Sequence, residues 1–150
     1  MEIQVLTRSK HKDAIEKSAK FYAKKLNILK SNYKVVIYTD SALKEQGSNG
    51  LAMRMEPDEL HIALYSRLPF GQLLRTLAHE MVHIKQFVRG HYRTEQSRNG
   101  KFKRFWLGTH VIAKYEKQPW EIEAYKKQDI LVCDLIDTLA RKIKKAKSRT

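Results

Sequence analysis

Cysteine is almost absent from the sequence, which has one, Cys133, among 150 residues. A single thiol excludes a disulfide framework within the chain, and the surrounding apolar run ILVCDLI predicts a buried side chain. Long hydrophobic runs are also missing, and no stretch approaches the roughly 20 apolar residues of a membrane-spanning helix. The first residues, MEIQVLTRSK, lack the apolar segment of a signal peptide. We therefore expect a soluble cytoplasmic protein without a membrane partner.

Acidic residues are few, since 16 Asp and Glu stand against 30 Lys and Arg, for a formal net charge of +14. Such a charge produces a positive field that attracts anionic partners, of which nucleic acid is the leading candidate. Internal repeats and low-complexity linkers are missing as well. With 150 residues and 42% hydrophobic content, the chain is expected to form one domain, 1–150, around one core.

The pattern of apolar residues predicts an α+β fold. Strands are predicted where β-branched and aromatic residues are concentrated, at 3–6, 33–38, 51–55 and 60–65. The last two are expected to pair as a hairpin, because Pro57 and Asp58 between them suit a turn. The sheet is therefore expected to be small, and either mixed or antiparallel.

Three helices are predicted, at 10–29, 69–88 and 119 to about 147, where apolar residues recur every three or four positions. The second has the densest apolar pattern and is expected to be central and buried. The last helix is expected to bury one stripe of side chains: Ile122, Tyr125, Val132, Ile136, Leu139 and Ile143.

The segments between these elements are expected to be less regular. Loops are predicted at 44–50 and 91–100, which are polar. Residues 102–112 predict a short hairpin or an irregular turn around Gly108.

The central helix contains the stretch LAHEMVH, Leu77 to His83. Residues four apart lie on the same face of a helix, so His79 and His83 can converge on one ion. Glu80 lies beside the first histidine and can take a proton from a metal-bound water. HExxH inside a predicted helix therefore indicates a zinc site, whereas two core histidines and a glutamate without a metal would lack obvious partners in so apolar a helix.

A catalytic zinc usually has a third protein ligand. The metzincin extension HExxHxxGxxH is excluded, because the chain has Gln86 and Arg89 in place of the required glycine and histidine. The spacing leaves four candidates open: His91, His110, Glu121 and Glu123.

The segments LAHEMVHIKQ and PWEIEAY together resemble the gluzincin metallopeptidases, whose second motif is often ExxA or ExEA. They are also similar to small SprT-like metallopeptidases of phage and bacteria, with HExxHxxQ, then WxG, then PWExEA. The matching residues here are His79, Glu80, His83 and Gln86, then Trp106 and Gly108, then Pro119, Trp120, Glu121, Glu123 and Ala124. The resemblance covers roughly residues 73–128 and implies a minimal zincin-like domain.

The resemblance also implies roles for the acidic residues. Glu121 would be the third metal ligand, with Glu123 in a supporting position, although the two could exchange roles. SprT proteases proper use a third histidine, which keeps His91 and His110 as alternatives. Gln86 could either support a ligand or lie at a solvent edge.

One position departs from the gluzincin pattern. Many gluzincins have an acidic residue or asparagine after the alanine, where this chain has Tyr125. The candidates to accept a hydrogen bond from a ligand histidine and orient it are then Glu123, Asp129 or a backbone carbonyl.

Peptide hydrolysis is the reaction expected from these parts. Zinc would lower the pKa of its water towards about 7, and Glu80 would act as the general base. The strand at 60–65 could offer an exposed edge to an extended substrate. Candidates to stabilise the oxyanion are Tyr115, Tyr125, His110 and Arg104.

A second class of function follows from the cations after the central helix. They are mixed with aromatic residues, a combination that can neutralise phosphate and stack bases. The candidates for nucleic-acid contact are Arg93, Arg98, Lys101, Lys103 and Arg104. The alternative to a protease is thus a basic nucleic-acid-binding domain with a structural zinc site, although charge runs are more often only solvated.

Overall fold

The computed structural model describes residues 1–149, which form an α+β arrangement built on a four-stranded sheet. Its strands are β1 (Glu2–Leu6), β2 (Lys34–Asp40), β3 (Gly50–Glu56) and β4 (Glu59–Tyr65), in the spatial order β1-β2-β4-β3. The pairs β1/β2 and β2/β4 are parallel, and β3/β4 is an antiparallel hairpin. The expectations of a mixed sheet and of this hairpin are confirmed.

The expectation that the strand at 60–65, which is β4, offers an exposed edge is wrong. β4 pairs along its whole length with β2 and lies between β2 and β3. Its run of apolar residues, with Leu60, Ile62 and Leu64 fully buried, suits an interior strand. The edges of the sheet are β1 and β3, and β3 is the one in contact with the helix Phe70–Val88.

Three α-helices accompany this sheet: α1 (Lys12–Lys25), α2 (Phe70–Val88) and α3 (Pro119–Ser148). Leu77 and Met81 of α2, Ile15 of α1, and Ile37 and Ile62 of the sheet belong to one buried core. Because Ile37 and Ile62 are partners in register on one face, α1 and α2 pack against that face. α3 packs mainly on α2.

The long helix α3 begins at Pro119 as predicted, but the stripe expected to be buried is wrong. Five of its six side chains are exposed, namely Ile122, Tyr125, Ile136, Leu139 and Ile143. The buried face is offset around the helix and is partly polar: Trp120, Glu121, Ala124, Gln128, Leu131 and Leu135. Glu121 and Gln128 interrupt the apolar pattern of this face. A search for apolar residues alone therefore selects the exposed face of the helix instead.

A second, smaller sheet follows α2, with strands β5 (Tyr92–Gln96), β6 (Phe102–Trp106) and β7 (Thr109–Val111) in the order β5-β6-β7. The hairpin predicted around Gly108 is confirmed as β6/β7, with Gly108 at φ 85° in its turn. The loop expected at 91–100 is corrected, since half of it, Tyr92–Gln96, forms β5. The side chains of this strand are polar and largely exposed, so it lacks the alternation of apolar and polar residues that predicts a strand.

Two short 3₁₀-helices, Ser41–Gln46 and Tyr115–Lys117, complete the chain, and the first replaces part of the loop expected at 44–50. Cys133 is exposed, contrary to the prediction of a buried thiol. It belongs to α3, where the buried face passes through Leu131 and Leu135 instead. Within residues 1–149, no helix combines the length and the apolar character that crossing a bilayer requires.

Candidate metal centre

His79, Glu80 and His83 lie in the buried middle of α2. The four-residue spacing places both imidazoles on one face of the helix, and their ring centroids are 4.9 Å apart. His79 is 8% exposed and Glu80 is 5% exposed, because α2 lies between the sheet and α3. All three polar side chains therefore need partners within the protein.

Glu121 projects from the first turn of α3 towards both histidines. Its Oε2 lies 3.0 Å from Nε2 of His79, and its Oε1 lies 2.8 Å from Nε2 of His83. Pro119 suits the start of this helix, where its missing N–H costs nothing. One ligand atom from each of the three side chains lies within 4.8 Å of the others, so the cluster could hold a metal ion.

Gln86 is hydrogen-bonded to the second ring nitrogen of His83. Its Oε1 lies 2.8 Å from Nδ1 of His83, and its Nε2 donates to the carbonyl of Trp120 at 2.9 Å and to Oε1 of Glu123 at 3.1 Å. A carbonyl only accepts, so the amide orientation is fixed and Oε1 must face the histidine. Gln86 is fully buried. Of the two sequence interpretations, support of a ligand is the one that the geometry favours.

Gln128 has the same role for His79, with its Oε1 2.7 Å from Nδ1 of that histidine. Sequence reasoning missed it and named Asp129 instead, which forms an exposed ion pair with Arg75 over 2.8 Å. A usable signal existed, because Gln128 follows Glu121 by seven residues, or two helical turns, and so shares its face.

In His79 and in His83, each of the two ring nitrogens lies within 3.0 Å of a side-chain oxygen. A neutral imidazole has one N–H, so when Nδ1 donates to a glutamine, the Nε2 lone pair faces a Glu121 oxygen. A divalent cation among the three groups removes this conflict. Two ligand atoms on a tetrahedral zinc lie about 3.3 Å apart, close to the 2.8 and 3.0 Å found between Glu121 and the two histidines. The donor set fits zinc.

The charges of these groups depend on one another. Burial acts to raise the pKa of Glu121, but hydrogen bonds with His79 and His83 outweigh it and hold that pKa well below its usual range. Burial acts to lower the pKa of His83, but the contacts with Glu121 and Glu80 raise it on balance. Glu121 is therefore ionised at neutral pH, as a metal ligand must be.

The carboxylate of Glu80 lies where α2 meets β3. The backbone N–H of Ala52 is hydrogen-bonded to it, and burial raises the pKa of Glu80, although the neighbouring histidines offset part of this. β3 can come this close because Gly50 has no side chain. A Cβ there would lie 2.6 Å from Cγ2 of Thr76 and 3.0 Å from Oε1 of Glu80. Sequence reasoning did not single out Gly50.

Two tyrosines border the cluster on the α3 side. The hydroxyl of Tyr115 donates to Oε2 of Glu121 at 2.8 Å and lies 3.0 Å from the hydroxyl of Tyr125. The Tyr125 ring stands edge-on to His79, with 4.6 Å between centroids. Burial, together with the hydrogen bonds, raises the pKa of Tyr115 above its usual value. Tyr115 therefore stays protonated and can donate a hydrogen bond.

The alternative ligand Glu123 points away from the histidines. Its Oε2 lies 3.0 Å from Nζ of Lys85, and its Oε1 accepts from Gln86. The neighbouring acids of the PWEIEAY segment thus have different roles, since Glu121 faces the imidazoles and Glu123 joins α3 to α2.

The two alternative histidines belong to the region of the second sheet rather than to the cluster, with His91 directly before β5 and His110 in β7. The ring of His91 is 6.0 Å from Trp106, and that of His110 is 5.4 Å from Phe105, between centroids. Neither is part of the group that could hold a metal ion.

The candidate nucleic-acid residues lie on the β5/β6 hairpin, and all five are exposed: Arg93, Arg98, Lys101, Lys103 and Arg104. Arg93 is ion-paired with Glu95 and lies over the ring of Phe105. Arg104 faces the cluster side, 6.0 Å above the ring of Trp120. Nucleic-acid binding by this hairpin stays a prediction.

Comparisons of the chain with protein-family models, with curated proteins and with solved structures found no match. The function is therefore inferred from the geometry of the cluster and of the cleft around it.

Proposed function

We propose that the protein is a zinc-dependent metallopeptidase of minimal zincin-like architecture, as its motifs suggest. The main support is the convergence of two imidazole Nε2 atoms and one carboxylate beside a buried glutamate. Catalytic zinc sites have three protein ligands and an open position, whereas structural sites are closed by four. Among residues 1–149, the group that could hold a metal has three members, His79, His83 and Glu121.

Two cavities of about 310 Å³ each border this cluster and leave it accessible from outside. A zinc ion held there would supply a Lewis acid that activates water and polarises the substrate carbonyl. Glu80 would accept a proton from the attacking water and return it to the departing amine. Tyr115, which keeps its proton, would turn its hydroxyl from Glu121 and donate a hydrogen bond to the developing negative charge.

The free edge of β3 offers a place for an extended polypeptide. β3 has one neighbour in the sheet, β4, and the N–H of Ala52 is directed to Glu80. The unpaired side of the strand therefore faces the cluster. A substrate segment that adds to this edge would bring its backbone past Glu80.

The rival function is a nucleic-acid-binding domain with a structural zinc site. It predicts a fourth protein ligand and an affinity for nucleic acid that falls steeply with salt. His91 and His110, the imidazoles that could have closed the site, lie elsewhere. The open ligand set favours the peptidase.

Zinc content tests the metal centre first. Chelator-washed and then zinc-refilled protein should contain about one zinc per chain, and Glu121→Ala should lose most of it. Glu123→Ala is the matched control, because it removes a neighbouring carboxylate that points away from the histidines. An unchanged zinc content in Glu121→Ala would show that the ligand set is wrong.

Turnover tests the chemistry. The zinc-loaded protein is incubated with a mixture of unfolded proteins, and new peptide termini are counted by mass spectrometry. Glu80→Gln should keep its zinc and lose the cleavage, since the amide cannot take a proton. Cleavage that persists in Glu80→Gln, or that survives complete removal of zinc, would contradict the proposal.

A further inference from the structure

One of the two cavities beside the cluster has an apolar side, with Leu51, Phe87, Tyr92 and Trp120 among its walls. Leu51 is 43% exposed, although it is a large aliphatic residue on β3. The cavity also reaches His83 and Glu121, so a side chain that enters it belongs to a group bound next to the proposed zinc ion. Its volume of about 310 Å³ is ample for one aromatic side chain.

The walls of this pocket are held by aromatic contacts between elements. The centroid of the Tyr92 ring, on β5, lies 4.7 Å from that of Trp120 and 5.5 Å from that of Phe87. These contacts fix the second sheet to the end of α2 and the start of α3. The pocket is therefore built on packed rings rather than on a free loop.

One cation borders the pocket, Arg104 on β6, whose guanidinium lies 6.0 Å from the centre of the Trp120 ring. Two other arginines have carboxylate partners, since Arg75, beside the cluster, pairs with Asp129, and Arg93, on β5, pairs with Glu95. Within residues 1–149, Arg104 forms no ion pair. A guanidinium that is available beside an apolar pocket suits a ligand with both an apolar side chain and a carboxylate.

We propose that this cleft selects polypeptide segments in which a large apolar or aromatic side chain stands next to Asp or Glu. The apolar side chain enters the cavity and packs against the wall formed by Phe87, Tyr92 and Trp120, and Arg104 binds the neighbouring carboxylate. The net charge of +14 adds a long-range attraction for acidic segments. This preference rests on the proposed function in one respect, namely that the segment that binds is also the segment that is cleaved.

Binding to the full-length Glu80→Gln protein, loaded with zinc, tests the selection without turnover. Fluorescence anisotropy compares three labelled peptides that differ at two central positions, Phe-Glu, Phe-Gln and Ala-Glu. The Phe-Glu peptide should bind about tenfold or more tightly than either of the others, since a charged hydrogen bond and a buried ring are each worth that much. Equal affinities for the three peptides would overturn the proposal.

Substitutions of Arg104 assign the preference to this residue. Arg104→Gln in the Glu80→Gln protein should abolish the advantage of Phe-Glu over Phe-Gln, Arg104→Lys should restore part of it, and Arg104→Glu should favour a Phe-Lys peptide. Arg93→Gln, an exposed cation on the adjacent strand, is the matched control and should change nothing. A preference that survives Arg104→Glu would overturn the assignment.

The outcomes separate the selection from the chemistry. Wild-type protein that cleaves peptides without regard to an adjacent acid would leave the peptidase proposal intact and overturn the selection. Arg104-dependent binding of Phe-Glu without cleavage by the wild type would support the selection and overturn the peptidase. If single-stranded DNA displaces the peptide and binds more tightly at moderate salt, the cleft is a nucleic-acid site and the selection is wrong.

Discussion

The side chain of Gln128 accepts a hydrogen bond from Nδ1 of His79 over 2.7 Å, across the junction of two helices. This contact leaves Nε2 of the histidine directed to Glu121, 3.0 Å away. A neutral amide thus takes the position that a carboxylate or a backbone carbonyl often has behind a metal-binding histidine.

Gln128→Ala should weaken zinc binding by about 10- to 100-fold, because His79 loses the acceptor that fixes its tautomer and ring orientation. Competition with a chelating dye measures the change. Lys126→Ala, at an exposed position of the same helix, is the control and should have wild-type affinity. Wild-type affinity in Gln128→Ala would mean that the contact does not orient the ligand.

Gly50→Ala should destabilise the fold by about 1–3 kcal/mol, because the new Cβ would lie 2.6 Å from Cγ2 of Thr76. It should also lower turnover, since the same Cβ crowds the carboxylate of Glu80. Urea unfolding and peptide cleavage measure the two effects. Adding Thr76→Ser removes the methyl group that clashes and should recover part of the stability.

Gly71→Ala is the matched control for the glycine. A Cβ at Gly71 has nothing within 4 Å, and the position lies in the first turns of α2, where alanine is a better helix former. This variant should be at least as stable as the wild type. If Gly50→Ala behaves in the same way, the close approach of β3 to α2 is not needed.

Zinc affinity should fall as the pH is lowered from about 7.5 to about 5.5. The ion requires neutral imidazoles, and in the metal-free protein the pKa of His83 lies above its usual value of about 6.5 on balance. Protons therefore compete with the metal through this whole range. Glu121 contributes little, because its pKa is held well below the range. Titration calorimetry in two buffers should detect proton release on binding, and an affinity independent of pH would contradict this.

Two neighbouring residues of α3 should respond differently to truncation. Leu135→Ala should cost about 2–5 kcal/mol in the free energy of unfolding, because Leu135 is 5% exposed and belongs to the core. Ile136→Ala should stay within about 0.5 kcal/mol, since Ile136 is 54% exposed. A large loss in Ile136→Ala would indicate that this face of α3 is covered in solution.

The elements that sequence predicts best are those whose pattern follows from one buried face. The helix around His79 is of this kind, whereas the β3/β4 hairpin follows from the turn residues Pro57 and Asp58. The place of β4 in the sheet depends on its partners. Its apolar run indicates a buried strand but does not show that β2 pairs with it. Order within a sheet depends on contacts between distant segments, which the local pattern does not contain.

The same limit applies at the metal centre. The spacing of His79 and His83 follows from helix geometry, and the resemblance named Glu121, but the two supporting glutamines needed the crossing of α2 and α3. Gln86 was left between two interpretations and Gln128 was missed. A glutamine on a buried face gives no apolar signal, and its partner lies 49 residues away in the chain.

The candidate metal centre is shared between two helices, with His79 and Glu121 separated by 42 residues. During synthesis on the ribosome, the two histidines emerge well before the carboxylate does. A nascent chain that ends before α3 therefore offers two imidazoles without the carboxylate that would offset part of the charge of a divalent ion. Under the proposed function, complete metal loading would wait until α3 has been translated and has docked on α2, which would make acquisition of the ion a late event in the maturation of the protein.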